Sequence, residues 1–278
     1  MSDLHFEHCF NNGWNDEYKS WPPGGWPVKA NYLILAGDIT NLSDHYHRLR
    51  DFLELRCKEY KRVFYLAGNR EFPNKGTHTV EIGLQRAREL QRLKSMNGKL
   101  QFMNRDRVDV HENGTTVSIL GCTLWSTIRE FQYQNFRKTA LEGIPGNTII
   151  EHNKRFEKDF KWLKAEVAKI RAEKDGKERK ILIATHHPPF IRGGSRDTDT
   201  IGRKMTDTYT MYSNDILGGY GFEGLGAGDM WVYGHTHRTN DLLIDDVKVY
   251  SNQRGAKCPE LIVNPNRDQF DICRTVDL

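Results

Sequence analysis

The sequence predicts an α/β fold, because short apolar runs of strand type alternate with longer segments of helical periodicity. The apolar runs have the composition of strands that are buried on both faces. They lie at 32–36, 63–66, 181–184 and 231–233. Apolar residues recur at helical spacing at about 43–59, 78–95 and 149–170. Strands and helices that alternate in this way form βα units around a sheet.

The N-terminal part of the chain predicts a loop and two helices. Residues 6–30 are polar and rich in Trp, Pro and Gly, which favours a long loop over one face of the domain. A helix is expected from Ser43, as its N-cap, to about Glu59. A second helix is expected over about 78–95, where apolar residues recur every three or four positions.

The middle of the chain predicts a β-hairpin followed by a helix. Residues 108–111 and 115–120 flank Asn113-Gly114, a dipeptide typical of tight hairpin turns. Thr148 and Glu151 have the spacing of a capping box, which predicts the start of the next helix.

The C-terminal part predicts a long insertion and two late strands. Residues 191–228 are polar and Gly-rich, and they are too long for a simple connection. We therefore expect an insertion over the candidate site, followed by strands at 247–250 and 270–276. Because the sequence shows no internal repeat, linker or low-complexity tract, we expect a single domain over residues 1–278.

The composition is that of an ordinary globular protein. A hydrophobic fraction of 37% in 278 residues is enough for a sizeable core. The formal charge of +4 is spread along the chain without a block of like charges, so a nucleic-acid partner is not expected. The five cysteines include no CxxC pair and indicate reduced thiols in a cytoplasmic protein. The sequence contains neither an apolar stretch of membrane-spanning length nor a recognisable signal peptide.

Five short polar blocks stand out, and four of them follow or end a predicted strand. Side chains at successive strand ends converge on one edge of a sheet. The blocks are Asp3-Leu4-His5, Gly37-Asp38, Gly68-Asn69-Arg70-Glu71, Thr185-His186-His187-Pro188-Pro189 and Gly234-His235-Thr236-His237. Any one block alone is more often a turn or a surface pair. All five in this order predict a site for two cations.

Two of the blocks carry a pair of ligand-type residues two positions apart. On an extended strand end, Asp3 and His5 would point to the same side and chelate one ion. His235 and His237 repeat this spacing with two imidazoles.

The other blocks each offer a single ligand. Asp38 follows a strand and a glycine, where a carboxylate can bridge two ions. Asn69 offers an amide oxygen, and His186 closes a strand. The ligand set contains only nitrogen and oxygen, which fits Mn²⁺, Fe or Zn²⁺ and does not choose among them.

In this order the blocks resemble those of the calcineurin-like metallophosphoesterases, whose pattern is DxH, GD, GNH followed by Asp or Glu, a His after a strand, and GHxH. The resemblance covers residues 3–237. It implies a four-layer αββα sandwich of two mixed sheets flanked by helices. It also implies hydrolysis of phosphate mono- or diesters by a hydroxide that two divalent metal ions activate. Carried over by position, Asp3, His5 and His237 would hold the first metal, Asn69, His186 and His235 the second, and Asp38 would bridge.

The GNH block departs from the family pattern, because Arg70 stands where the histidine is expected. In the family that histidine is thought to protonate the leaving oxygen. Arginine keeps its proton near neutral pH, although its charge can contact a phosphate. His187 is a candidate substitute acid, and its alternative role is packing. Glu71 is expected either to pair with Arg70, to orient a ligand histidine, or to lie at the surface.

The start of the chain is the second departure. Only Met1 and Ser2 precede Asp3, so no complete strand leads into the first block. An unpaired end would lose roughly 1–2 kcal/mol per residue on ordering. We therefore expect Asp3 and His5 to lie on a free end, and the first metal site to be weakly occupied.

The leading functional prediction is a metal-dependent hydrolase of a phosphorylated small molecule or a phosphodiester. The alternative is a catalytically impaired relative that acts as a metal-binding or interaction scaffold, which Arg70 and the short start both favour. A nuclease or lariat-type phosphodiesterase is a third reading. The lack of a basic stripe with interleaved aromatic residues argues against it.

Overall fold

Two β-sheets lie face to face in the computed structural model of the chain, and helices cover the outer side of each sheet. The structure describes residues 1–10, 25–72, 77–112, 114–136, 141, 143–191, 211–219, 221–255 and 270–277. Among the described residues, no helix is long and apolar enough to span a bilayer.

The strands and helices alternate as the sequence predicts. The strands are β1 (Tyr32–Ala36), β2 (Arg62–Leu66), β3 (Leu100–Phe102), β4 (Asp106–Glu112), β5 (Thr115–Cys122), β6 (Lys180–Thr185), β7 (Met230–Tyr233), β8 (Asn240–Ile244) and β9 (Val247–Ser251). The α-helices are α1 (Phe6–Phe10), α2 (Tyr46–Glu59), α3 (Val80–Arg92), α4 (Tyr133–Phe136) and α5 (Ile149–Ala172). Two 3₁₀ helices span Lys94–Met96 and Glu130–Gln132.

The smaller sheet has the order β1-β2-β3, and the larger has the order β4-β5-β6-β7-β9-β8. Strands β5, β6, β7 and β9 are parallel, whereas β4 and β8 pair antiparallel at the two edges of the larger sheet. The smaller sheet is parallel throughout its described strands rather than mixed. Parallel strands bring their carboxyl ends to one edge, and this edge carries the candidate site.

Three apolar cores separate the four layers. Helices α2 and α3 cover the smaller sheet, with Phe52 and Leu90 buried in the same cluster as Leu35. Phe64 and Leu182 lie in the cluster between the two sheets. Helix α5 covers the outer face of the larger sheet through a third cluster. The predicted α/β fold with two packed sheets and outer helices is therefore confirmed.

Side chains set the starts of the longer helices. The Thr148 Oγ1 atom accepts a hydrogen bond from the Glu151 N–H at 3.2 Å, as the capping pattern predicts for α5. The N-cap of α2 is His45 rather than the predicted Ser43, so the predicted start is wrong by two residues. The Asn41 Oδ1 atom accepts N–H bonds from the three residues that follow Leu42, and this holds them in a turn.

Other sequence predictions at the ends of the chain need correction. Residues 270–276 do not form a strand, because a turn interrupts them and their backbone is bound by the Asn252 side chain. Residues 6–10 are helical rather than loop. The short strands β3 and β8 were not predicted.

Several predicted features fall partly outside the described residues. They are most of the loop at 6–30, Asn113 of the predicted hairpin turn, and residues 192–210 and 220 of the expected insertion. The hairpin strands themselves are confirmed as β4 and β5. The single domain with an insertion at 191–228 stays a prediction.

The first residues of the chain connect the two sheets. The Met1 ammonium donates to the Ile34 carbonyl at 2.8 Å, and the Ala36 N–H donates to the Met1 carbonyl at 2.8 Å. On its other side, Ser2 pairs with residues 252–254 that follow β9. The prediction of a free N-terminal end is therefore wrong, because backbone bonds to both sheets order these residues.

The cap of α5 gives a direct test of the local structure. We expect Thr148→Ala to lower the free energy of unfolding by about 1 kcal/mol, because the substitution leaves the Glu151 N–H without its acceptor. Thr148→Ser keeps the hydroxyl and should lose much less. Urea unfolding measures both variants, and equal losses would contradict the role of the hydroxyl.

Candidate metal centre

Seven ligand-type side chains meet where the carboxyl ends of the central strands reach one edge. Asp38 follows β1, Asn69 follows β2, and His186 follows β6. His235 and His237 follow β7, whereas Asp3 and His5 come from the N-terminal segment between the two sheets. All seven residues predicted from the sequence as ligands are thus brought together.

The first group consists of Asp3, His5 and His237, whose ligand atoms lie within 4.8 Å of one another. The Nε2 atoms of His5 and His237 are 3.0 Å apart. The Asp3 Oδ1 atom lies 3.4 Å from His237 Nε2 and 3.8 Å from His5 Nε2. Asp3 and His5 are buried, whereas the His237 side chain is 19% exposed. Access from solvent to this group is therefore on the side of His237.

The second group is centred on the Nε2 atom of His186. It lies 3.1 Å from Asn69 Oδ1, 3.2 Å from His235 Nδ1 and 3.3 Å from Asp38 Oδ1. The other carboxylate oxygen of Asp38 lies 3.8 Å from His5 Nε2 in the first group. Asp38 therefore stands between the two groups, with one oxygen toward each.

Hydrogen bonds fix which nitrogen of two imidazoles faces the site. The His186 Nδ1 atom lies 2.9 Å from the Ala36 carbonyl, which can only accept, so Nδ1 carries the proton. His5 Nδ1 is oriented in the same way by the Glu7 carboxylate at 2.8 Å. In the neutral rings, the Nε2 lone pairs of His5 and His186 therefore point into the site.

At 3.0 and 3.2 Å, each of these two nitrogen pairs is bridged either by a proton on the partner ring or by a cation that both lone pairs bind. The same region holds the carboxylates of Asp3 and Asp38 and the amide oxygen of Asn69. Imidazole nitrogens and carboxylate oxygens are the donors that Mn²⁺, Fe and Zn²⁺ accept. The residues present therefore fit divalent cations, with outer hydrogen bonds that orient the ligands.

The pKa shifts of three residues in the site show that its carboxylates favour a nearby positive charge. Burial raises the pKa of Asp3 to about 6. Burial acts against protonation of His186, but the charge of Asp38 and the hydrogen bond to it raise the pKa of His186 to about 9. The Asp38 pKa stays well below its ordinary value despite burial, because of the charge of His186. A proton on His186 thus supplies the positive charge that a bound cation would provide.

Five of the seven ligand-type residues have left-handed backbone, which is uncommon outside glycine. Such a conformation costs roughly 1–2 kcal/mol per residue. The residues are Asp3 (φ 55°), His5 (φ 48°), Asp38 (φ 53°), His235 (φ 73°) and His237 (φ 55°). The extended conformation expected for the two paired blocks is therefore wrong. The side chains converge through turns at the strand ends instead.

Close packing at the end of β1 requires glycine. Gly37 has φ 85°, and a Cβ atom there would lie 2.5 Å from the Nδ1 atom of His186. A side chain at this position would push the imidazole off the Ala36 carbonyl, which fixes its tautomer.

Glu71 binds backbone N–H groups of the turns that carry the ligands. This role was not predicted from the sequence. Its side chain is fully buried, and its Oε2 atom accepts N–H bonds from Asp38 at 2.8 Å and Gly68 at 2.7 Å. Its Oε1 atom accepts the Ile39 N–H at 2.8 Å. Glu71 therefore ties together the turns after β1 and β2, and the surface reading is wrong. Burial raises its pKa to about 8, with repulsion from Asp38 acting in the same direction and the N–H donors opposing.

The two residues predicted as catalytic lie in different surroundings. Arg70 is half-buried, and its backbone N–H donates to Asp38 Oδ1 at 2.8 Å. Burial first, and then charges that include Arg70, lower the pKa of His235. His187 is fully buried behind the ligands, with its ring against that of His235.

The Glu71 carboxylate accepts three backbone N–H bonds, and Glu71→Gln tests whether these bonds stabilise the fold. Whichever way the new amide is turned, its NH₂ group faces at least one backbone N–H. We expect a loss in unfolding free energy of about 1–3 kcal/mol or more, since a buried donor then lacks an acceptor. Chemical unfolding of the metal-free protein measures the loss, with the exposed Glu178→Gln as matched control. Equal stability of the two variants would contradict this role.

Comparison with known proteins identifies the family and the fold of the chain. The family model of the calcineurin-like phosphoesterases matches residues 1–239. An uncharacterised protein of Acanthamoeba polyphaga mimivirus is 24% identical over 267 residues, which are 92% of this chain and 89% of that protein. A phosphopantetheinyl hydrolase from Mycobacterium tuberculosis has a similar fold, with a TM-score of 0.61 at 17% identity over 92% of this chain and 88% of that chain. Because the family model spans most of its length, the chain belongs to the calcineurin-like phosphoesterases.

Proposed function

We propose that the protein hydrolyses phosphate esters with two divalent metal ions, Mn²⁺, Fe or Zn²⁺, held between the groups described above. The observation that carries the proposal is the pair of close nitrogen contacts, His5 to His237 and His186 to His235, at 3.0 and 3.2 Å. Two such contacts, beside a carboxylate that faces both, support a site for two ions.

The two groups divide the ligands as their distances suggest. The first ion would be held by Asp3, His5 and His237, the second by Asn69, His186 and His235, and Asp38 would contact both. When bound, such ions polarise a phosphoryl oxygen and lower the pKa of the water that attacks phosphorus.

The protein's own groups provide orientation and charge. Glu7 and the Ala36 carbonyl hold two imidazoles in the tautomer that a cation needs. Arg70 adds a permanent positive charge near enough to His235 to contribute to its lowered pKa, and such a charge can bind the equatorial oxygens of a phosphate. The chemistry favours a phosphorylated small molecule or a phosphodiester as substrate.

Arg70 also supports a second candidate function. A guanidinium cannot release a proton near neutral pH, so the group that would protonate a leaving alkoxide is missing at this position. A catalytically impaired protein that binds metal or a partner would keep the ligands and lose this step. If even an aryl phosphate, whose leaving group needs no proton, is not hydrolysed in the presence of Mn²⁺, the second function is favoured.

The metal content tests the proposal directly. Because the N-terminal segment is paired on both sides, we expect both groups to fill, giving close to two Mn²⁺ per chain by elemental analysis after dialysis against that metal. Asp38→Ala should lower aryl-phosphate hydrolysis by more than about 100-fold, beyond what outer hydrogen-bond partners of ligands typically contribute. Asp44→Ala, on the exposed turn that follows, is the matched control. Full activity of Asp38→Ala would rule out the proposed mechanism.

The charge at position 70 gives a second kinetic test. We expect Arg70→His to raise the turnover of alkyl phosphates, by up to about 10²–10⁴, since a general acid then becomes available. Aryl phosphates, whose leaving groups need no proton, should gain much less. Arg70→Gln removes the charge without adding an acid and should raise neither. An unchanged ratio of alkyl to aryl turnover in Arg70→His would refute this account.

A further inference from the structure

The imidazoles of the site are oriented in two different ways. The rings of His5 and His186 are fixed by hydrogen bonds at the nitrogen that faces away from the site. The corresponding atom of His235 is Nε2, since its Nδ1 faces His186. This Nε2 atom is buried and has no hydrogen-bond partner among the described residues. The ring of His235 must therefore be held by packing.

The packing surface is the ring of His187. The centroids of the two rings are 4.2 Å apart with an interplanar angle of 36°, and the Tyr212 ring lies 5.2 Å from His235. His235 is therefore confined between two rings. Its backbone is in the left-handed region, and its N–H is held by the Asp3 carboxylate at 3.0 Å.

His187 is itself fixed by further rings. It stacks on Trp125 at 5.9 Å and 28°, and Trp125 stacks on Phe72 at 5.8 Å and 21°. Phe72, Trp125 and His187 are at most 3% exposed. The four rings Phe72, Trp125, His187 and His235 form a column from the interior to the second ligand group. Phe72 follows Glu71 in the chain, so the column begins at the anchor of the β1 and β2 turns.

We propose that His187 is a positioning residue, whose ring holds His235 in register with the second metal, and that it does not donate a proton. This rests on the proposed function of the site. Both nitrogens of His187 are buried: Nδ1 lies 3.4 Å from the Thr123 carbonyl, and Nε2 has no hydrogen-bond partner among the described residues. A ring so enclosed cannot reach a leaving oxygen.

The test compares variants of the whole protein that keep or remove the ring. His187→Phe keeps a flat ring but has no proton to give, whereas His187→Leu fills similar space without a flat face. Mn²⁺ titration by calorimetry and the pH profile of aryl- and alkyl-phosphate turnover are measured for each. We expect His187→Phe to keep Mn²⁺ affinity and the pH profile of the wild type. His187→Leu should bind one of the two Mn²⁺ ions about 10–100-fold less tightly and leave the affinity for the other unchanged, as for other groups that orient ligands.

The outcomes separate this inference from the proposed function. If the wild-type protein binds no Mn²⁺, the proposed function itself fails. If it binds two ions and both variants lose turnover equally with unchanged affinity, His187 is a proton donor and the inference is wrong. Equal Mn²⁺ affinity in the wild type, His187→Phe and His187→Leu would also overturn the inference. Thermal unfolding identifies a misfolded variant, and Trp125→Leu then replaces His187→Leu as the variant that breaks the column, with the same loss of affinity expected.

Discussion

The crowding of like polar atoms at one buried point is the constraint on which this structure depends. Imidazole nitrogens face each other across 3.0 and 3.2 Å, and the carboxylates of Asp3 and Asp38 lie beside them. Such groups repel one another or leave lone pairs unsatisfied unless a shared proton or a cation lies between them. The protein therefore has to hold the ligands together by forces that come from elsewhere in the fold.

Those forces come from both sheets and from one buried carboxylate. Residues 1–3 bond to the end of β1 on one side and to the chain after β9 on the other, so the first group is attached to both sheets. Glu71 binds the backbone of the two turns that carry Asp38 and Asn69. The left-handed conformations of five ligand-type residues would together cost several kcal/mol, about 1–2 for each. The apolar cores on both faces of the sheets offset a cost of this size.

The sequence predicted those parts of the structure that depend on periodicity and spacing. Buried strands and the capped start of α5 follow from local patterns, and the ligand-type residues follow from their positions at strand ends. The left-handed backbone of Asp3 and His5 was not predictable, because it depends on bonds to Gly37 and Asp38 far along the chain. Residues 270–276 have a strand-like composition but pair with no strand among the described residues, and composition alone does not show this. Strand β8 was missed although Asp245 and Asp246, both with positive φ, mark a tight turn before β9.

Surroundings rather than residue type decided the roles that were hardest to predict. Glu71 and Glu7 are both glutamates near the site, yet one binds three backbone N–H groups and the other orients His5. His186 and His187 are adjacent, yet the first faces the ligands and the second lies against a ring of the site. A sequence motif places such residues near each other without saying which atoms they contact, since that depends on partners elsewhere in the chain, as Asn69 is for His186.

The block Gly68-Asn69-Arg70-Glu71-Phe72 shows why a change at one position can alter chemistry and leave the site intact. Asn69 faces the second group, Glu71 anchors two turns, and Phe72 begins the ring column. Each of these side chains is buried, whereas that of Arg70 is partly exposed, and the Arg70 contact to Asp38 comes from its backbone. Any residue except proline can make that contact. A different side chain at position 70 therefore leaves the backbone contact to Asp38 intact, so the loss of a proton donor there need not displace that ligand.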